Sequence, residues 1–351
     1  MSKPELGKHY SPPLNLQTGK VELKHGAGGR AMQQLISELF AHELGNAYLA
    51  QGDDGARLPP AAGRLVMATD AHVVSPLFFP GGDIGSLAVH GTINDVAVMG
   101  ARPLYLAAAF ILEEGFALAD LARIVASMAT AAREAGVPVV TGDTKVVERG
   151  KADGVFITTT GIGVLADGIE LSGANARAGD AVLVSGPIGD HGMAIMSVRD
   201  SLAFDAPIVS DSAALHGLIA DLLAAAPDIH VLRDPTRGGV AATLNEIAQQ
   251  SGVGIVLDEA SIPLRPAVAA ACELLGLDPL NIANEGRLLV FCPVGSAERA
   301  LATLRAHPLG RDAARIGEVI ADARRFVQMQ TRFGGRRMID WLSADALPRI
   351  C

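Results

Sequence analysis

Apolar positions along this chain recur at helical spacing in some stretches and in unbroken β-type runs in others, and the two alternate from end to end. Met32, Leu35, Ile36, Leu39 and Phe40 fall on one face of a helix expected over 29–44. LVMATD (65–70) reads as a strand that ends in an acid. DIGSLAVHGTINDVAVM (83–99) predicts a buried helix with Asp83 as its N-cap and with His90, Asn94 and Asp95 along it. Next come an expected strand at 105–112, an amphipathic helix at 119–135 stopped by Gly136, a strand at 137–140 running into TGDTK, and a strand at 155–165. The glycine-rich stretch 167–180 marks a domain boundary. Beyond it the pattern restarts: strand 181–185, helices near 192–199, 213–225 and 239–251, strand 254–257, helix 265–275, strand 287–293, helix 297–306, and short strands near 314–319 and 325–330. Both halves mix strands with helices able to cover a sheet face, which predicts α/β and α+β architecture.

Length and composition narrow this further. At 351 residues the chain exceeds the ~100–200 usual for one domain, so two cores are expected. A hydrophobic share of 49% with 19% charged residues excludes a disordered chain. The 39 glycines stand well above the average of ~7% and must serve turns or close backbone approaches. A net charge of −9 and 4% aromatics argue against nucleic acid or an anionic membrane as the partner. No apolar run is long enough to span a membrane, and the first residues hold no continuous apolar stretch, so a cytoplasmic chain without a signal peptide is expected.

Of the three cysteines, Cys272 and Cys292 sit in apolar runs, where inert core thiols are expected. Their spacing supports neither a disulfide framework nor a zinc site. Cys351 is the last residue, on a stretch from Trp341 that contains Pro348 and could extend ~36 Å at ~3.3 Å per residue. Such a thiol could enter an active site, its own or another protein's. An incidental cysteine on a frayed end is the plain alternative.

Candidate chemistry centres on aspartates beside glycine, threonine or asparagine: Asp53 and Asp54 in GDDGA, then Asp70, Asp83, Asp95, Asp143 in TGDTK, and Asp234 in RDPTRGG. Asp70 and Asp143 follow β-type runs and are expected where strands end at a sheet edge. Several carboxylates converging there would suit Mg²⁺, which takes oxygen ligands; each taken singly is as well explained by capping or solvation. HGAGG (25–29) and TRGGV (236–240) precede helices and could cradle phosphate with exposed amides, though neither is a Walker A loop or a G-x-G-x-x-G turn. Arg237 and Lys145 supply cations. Glu285 precedes a strand, where acids are as a rule solvated; partly desolvated, it would suit general base work.

Taken in order, HGAGG, GDDGA, TD, GGDIGSLAVHGTINDVAVMGARP, TGDTKVV, DPTRGGVAATLNEIA and NEG resemble the ATP-binding superfamily of aminoimidazole ribonucleotide synthetase, thiamine-monophosphate kinase and selenophosphate synthetase, over nearly the whole chain. The ending PRIC together with DPTRGGVAATLNEIA is similar to the HypE family of hydrogenase maturation factors. No motif departs from that pattern; the N-terminus is longer and LPPAAG (58–63) is inserted.

The resemblance implies a two-domain aminoimidazole ribonucleotide synthetase-like fold, α/β plus α+β. It would comprise an N-terminal segment with the glycine-rich loop (1–46), an ATP-binding and dimerisation domain (47–168), a C-terminal domain (169–336) and a mobile tail (337–351). It implies that HypF carbamoylates Cys351, that ATP drives dehydration of this group to a thiocyanate, and that the cyanide passes to iron on a HypC–HypD complex. Asp54, Asp70, Asp95, Asp143 and Asp234 match the family's metal pattern, with Mg²⁺ as the ion. Gly26, Gly28, Gly29, Asp83, Asn94, Thr144, Lys145, Arg237, Gly238 and Gly239 would contact ATP. Glu285 and Lys145 would assist proton removal and phosphate departure, with His90 beside them, and N-terminal strands would pair two copies into a barrel. Two rivals stand: a small-molecule kinase or synthetase of the same superfamily, and a nucleotide-binding scaffold with a docking tail. Selenophosphate synthetase would carry a reactive cysteine near the glycine loop, yet no cysteine precedes Cys272.

Overall fold

The structure, a computed structural model, describes residues 12–200, 207–341 and 349–351. After short helices α1 (Arg30–Leu35) and α2 (Ala41–Leu44), joined by a π turn at Ile36–Phe40, the N-terminal half runs β1 (Arg64–His72), β2 (Phe78–Phe79), β3 (Gly82–Asp83), α3 (Ile84–Val98), β4 (Ala101–Glu113), α4 (Leu118–Ala135), β5 (Val139–Val147) and β6 (Val155–Leu165). Four strands form a sheet in the order β1-β6-β4-β5, parallel only between β4 and β5.

Helix α3 starts where expected, because the Asp83 carboxylate accepts from the N–H groups of Gly85 (2.7 Å) and Ser86 (3.1 Å). Its apolar residues fall on every side rather than along one stripe, so it is buried, against the sheet and α4. Helix α4 turns Leu121, Ile124, Val125 and Met128 inward and ends at Gly136, whose φ of +66° closes the helix as a left-handed cap. The two helices cover one face of the sheet. On the other, Leu65 and Met67 are 66% and 71% exposed.

The C-terminal half contains β7 (Asp180–Val184), α5 (Asp190–Arg199), α6 (His216–Ala225), β8 (Val231–Arg233), α7 (Gly239–Ser251), β9 (Gly254–Asp258), α8 (Pro266–Leu275), β10 (Leu289–Pro293), α9 (Val294–Ala306), β11 (Ala314–Ile320), β12 (Val327–Gln330) and β13 (Arg336–Ile339). The strands order as β13-β12-β9-β11-β7-β10-β8. Helix α7 packs on one face and α6 with α9 on the other. Central strands β7 and β10 are therefore covered on both faces and read as continuous apolar runs. Cys292 is buried on the α6 and α9 side of the sheet and Cys272 in a separate cluster between α5 and α8, as expected for packed thiols, and burial pushes both up to about 11.

Several elements differ from the sequence expectation. Asp70 and Asp143 do not follow strands but lie inside them, Asp70 two residues before the end of β1 and Asp143 at the middle of β5. Strand β5 is a sheet edge whose outward side carries Thr141, Asp143 and Lys145, so polar residues there do not end it. Strand β4 begins at Ala101, and α6 begins at His216 because residues 210–213 are held in loop contacts. β8 and β13 were not expected; β13 takes residues 336–339 into the C-terminal sheet. Among the described residues no helix is long and apolar enough to cross a membrane.

Candidate functional site

The two halves meet along α3. Asn94, fully buried, donates from Nδ2 to the Ala213 carbonyl (3.0 Å) and the Glu285 carbonyl (3.4 Å), and its Oδ1 accepts from the Leu215 N–H (2.7 Å). One side chain thus ties the N-terminal helix to two C-terminal segments. This is a domain bracket, where the sequence suggested a nucleotide contact. His90, one turn earlier, bonds Ser212 across the same seam (3.0 Å), and burial pulls its pKa down to about 4, so its ring is neutral. Asp83 is engaged as the α3 cap and Asn284 bonds the backbone of Gly189, Pro235 and Ile282.

Around this seam three buried carboxylates gather, with the partly exposed Asp70 at their edge. Asp70 comes from β1, Asp95 from α3, Asp234 from the turn after β8, and Glu285 from the turn before β10. Burial first, then Asp234 and Asp70, push the Asp95 carboxyl up to about 7. Burial, with Asp70 adding repulsion, takes Asp234 to about 6. Glu285 is raised well above the carboxylate range by burial and by Asp234, Asp211, Asp70 and Asp95. Room for the cluster depends on Gly91 of α3, where a Cβ would lie 3.2 Å from Asp70 Oδ2 and 3.2 Å from His72 Cε1.

Residues 349–351 lie against this cluster. The Val73 and Ser75 N–H groups donate to the Cys351 carboxylate and the Arg349 carbonyl, both at 3.1 Å, an alternate-residue ladder that extends the line of β1. The Cys351 thiol reaches the Glu285 side chain, and burial, reinforced by that carboxyl, raises the thiol far above its ordinary value. Arg237 acts in the opposite sense on it. Arg237 precedes α7, whose first turn is shaped by Gly238 (φ +76°) and Gly239 (φ +61°); a Cβ on Gly239 would meet the Leu280 carbonyl at 2.5 Å. A guanidinium beside a helix N-terminus is suited to phosphate.

The other predicted residues form a second group. Asp143 and Lys145 pair at 2.5 Å on the open side of β5, while Thr144 between them is buried. Gly26 passes so close to β5 that a Cβ would lie 2.7 Å from the Val146 nitrogen, while a Cβ on Gly28 or Gly29 would meet nothing within 4 Å. Asp70 faces α3, so the sheet separates it from Asp143 and Lys145. Asp54 is exposed in the loop at 52–57. Of the five proposed metal ligands, the structure gathers Asp70, Asp95 and Asp234 and leaves Asp54 and Asp143 apart from them. Among the described residues no three His, Cys, Asp or Glu side chains form a ready metal cage. Burial and mutual repulsion raise Asp95, Asp234 and Glu285 together, a crowding of oxygen donors that a divalent cation would relieve.

Sequence reasoning missed His72, whose ring is buried, with Nε2 3.8 Å from Asp70 and Nδ1 unpaired. The alternation ATDAH, which puts residues 70 and 72 on one strand face, carried that signal. It also missed Asp211, which accepts from the Glu285 N–H (3.2 Å) and pairs with the buried Arg287 (3.5 Å). A groove of about 570 Å³ lined by Asp258, Arg315, Gln330 and Arg332 shares no residue with the cluster.

Residues 52–165 match the model of the AIR synthase related protein N-terminal domain, and residues 177–330 that of its C-terminal domain. A carbamoyl dehydratase HypE from Cupriavidus necator is 67% identical over 343 residues, covering 97% of this chain and 98% of the relative. A crystal structure of the hydrogenase maturation protein HypE in complex with ATP superposes with a TM-score of 0.91 at 52% identity, over 94% of this chain and 99% of that one. The structure of a HypE–HypF complex matches with a TM-score of 0.78 at 52% identity, over 88% and 99%.

Proposed function

The chain belongs to the AIR synthase related family and within it to the HypE carbamoyl dehydratases, and from that premise we infer how its own residues carry out ATP-dependent dehydration of an S-carbamoyl group on Cys351. The product is a thiocyanate, the source of the cyanide ligands of nickel–iron hydrogenases, and HypF is a partner. The observation that carries the reading is the Cys351 thiol seated on buried Glu285 within the carboxylate cluster. A small-molecule kinase would leave that contact without a use.

Dehydration takes the oxygen from the carbamoyl carbon and two protons from its nitrogen. When bound, ATP supplies the phosphoryl group that turns this oxygen into a phosphate leaving group, and Mg²⁺ supplies charge that neutralises phosphate and carboxylates. Asp70, Asp95 and Asp234 would hold the ion. Glu285, beside the sulfur, is the group we assign to receive protons from the nitrogen: burial raises its proton affinity, and cations on the neighbouring carboxylates would lower it enough to leave the group ionised and able to accept. Arg237 and the α7 N-terminus stabilise departing phosphate. Burial of the seam keeps water from the activated group.

The raised thiol pKa has a further consequence. A seated Cys351 is protonated and a poor nucleophile, so the tail accepts its carbamoyl group from HypF away from the cluster. The exposed Leu65, Met67 and Ile111 on the outer face of the N-terminal sheet support a homodimer through β1, β4, β5 and β6, which would bring a second chain over Asp143 and Lys145. Their assignment to phosphate binding and proton transfer rests on that assembly, as does that of Gly26, Gly28, Gly29 and Thr144. The reading also includes transfer of cyanide to HypC–HypD and a cytoplasmic location, where the thiol stays reduced. With Cys351 carbamoylated beforehand, wild type should release one phosphate per thiocyanate formed, and Glu285→Gln should form almost none. A Glu285→Gln variant with normal thiocyanate yield would remove the base from this scheme.

A further inference from the structure

We propose that Val73, Ser75, Asp153, His191, Arg199 and Ser210 form a seat for the Arg349-Ile350-Cys351 segment that positions the sulfur by reading the two residues before it rather than the sulfur itself. The proposal deepens the dehydratase reading and depends on it only for its second readout.

Main-chain pairing with Val73 and Ser75 fixes the direction and register of the segment, in the manner of a peptide strand added to a sheet. Register alone would allow a slip, and three side-chain contacts prevent it. Ile350 is 2% exposed and belongs to the N-terminal apolar core. Its carbonyl meets His191 Nε2 at 2.9 Å. A carbonyl only accepts, so Nε2 carries the hydrogen and Nδ1 accepts from the Ser210 hydroxyl at 2.8 Å. His191 is itself fully buried and stands edge-on to Phe79, with ring centroids 5.5 Å apart, so it has no freedom to follow a displaced tail.

Arg349 supplies the third contact. Its φ of +56°, uncommon outside glycine, turns its carbonyl toward the Ser75 N–H and Arg199 Nη2 (2.9 Å). Its guanidinium bonds the Val73 carbonyl from Nε (3.0 Å) and pairs with Asp153. Arg199 is held in turn by the Ser75 carbonyl, so the carbonyls of residues 75 and 349 share one guanidinium. The seat grips residues on both sides of the 350 carbonyl and leaves Cys351 Sγ directed at Glu285. A bare thiol and a carbamoylated one are therefore seated by the same contacts.

The test is iodoacetamide modification of Cys351 in the full chain, followed by intact mass, with a free Arg-Ile-Cys peptide as the unprotected reference. Wild type should react well below the peptide rate. His191→Phe keeps the ring but leaves the Ile350 carbonyl unsatisfied, and should raise the rate roughly tenfold or more; His191→Gln, which retains a donor, should stay within about threefold of wild type. Wild type reacting at the peptide rate would overturn the seat, as would His191→Phe reacting like wild type, or Gln and Phe reacting equally fast. Should His191→Phe fail to fold, Arg349→Ala removes two contacts without touching the folded body, and an unchanged rate there would be equally fatal. In single turnover on a pre-carbamoylated tail, His191→Phe should slow water loss with an unchanged KM for ATP. If modification rates shift as described but even wild type loses no water, the seat stands and the dehydratase reading fails.

Discussion

Replacing Asp95 with asparagine removes one charge from the carboxylate cluster with almost no change in volume, and the energetics of the site make the outcome unusual. The carboxyl stands at about 7 against an ordinary 3.8. At ~1.36 kcal/mol per pH unit, holding it ionised costs the folded state up to about 4 kcal/mol. The folded-state pKa is raised, so the folded state binds this proton more tightly than the unfolded chain does. Stability is full below about pH 4, declines as pH rises, and has lost this contribution once pH exceeds about 7. At pH 5 the loss has reached only about 1–2 kcal/mol. Part of the elevation is repulsion from Asp234 and Asp70, which the substitution also relieves for them. Denaturant unfolding of the full chain in EDTA should therefore find Asp95→Asn more stable than wild type by about 2–4 kcal/mol at pH 8 and by about 1–2 kcal/mol at pH 5, with thiocyanate formation lost. A variant no more stable than wild type at pH 8 would refute the shared-desolvation account of the cluster.

Two further substitutions probe its frame. Gly91→Ala places a methyl 3.2 Å from Asp70 and His72 while gaining about 1 kcal/mol of helix propensity, so the unfolding midpoint should barely move and turnover should fall several-fold; a large loss of stability with intact turnover would contradict this. Asn94→Ala strips partners from the Leu215 N–H and the Ala213 carbonyl and should cost about 2–4 kcal/mol in denaturant unfolding, with an effect under about 0.5 kcal/mol disproving the domain bracket.

What the sequence made legible was the chemistry carried by short motifs. Asp70, Asp95, Asp234, Glu285, Arg237 and Cys351 could be named from TD, IND, RDPTRGG, NEG and the ending PRIC, although Asp70 lies inside β1 and Asp95 inside α3. Which of them share a volume could not be read, since that depends on how α3 crosses the sheet: Asp143 and Asp70 stand alike in the sequence, yet β5 turns Asp143 to the open face. Asn94 was read as a ligand contact because the backbone it satisfies, at residues 213, 215 and 285, is remote in sequence. The seat for the tail was invisible for the same reason, its Arg349–Val73 contact joining residues 276 apart. His191 shows a cost of local reading, for a histidine in an apolar helix start gives no sign of which carbonyl it meets. Strand β13 and the short β8 lack the apolar run that marks a strand.

The central claim, that Cys351 carries the group being dehydrated, is tested most directly by the intact mass of the full chain after incubation with HypF and carbamoyl phosphate. The tail should gain the mass of one carbamoyl group, localised to Cys351, and on addition of MgATP should lose the mass of one water and no more. An unmodified Cys351, or a carbamoylated one that MgATP leaves unchanged, would contradict the account.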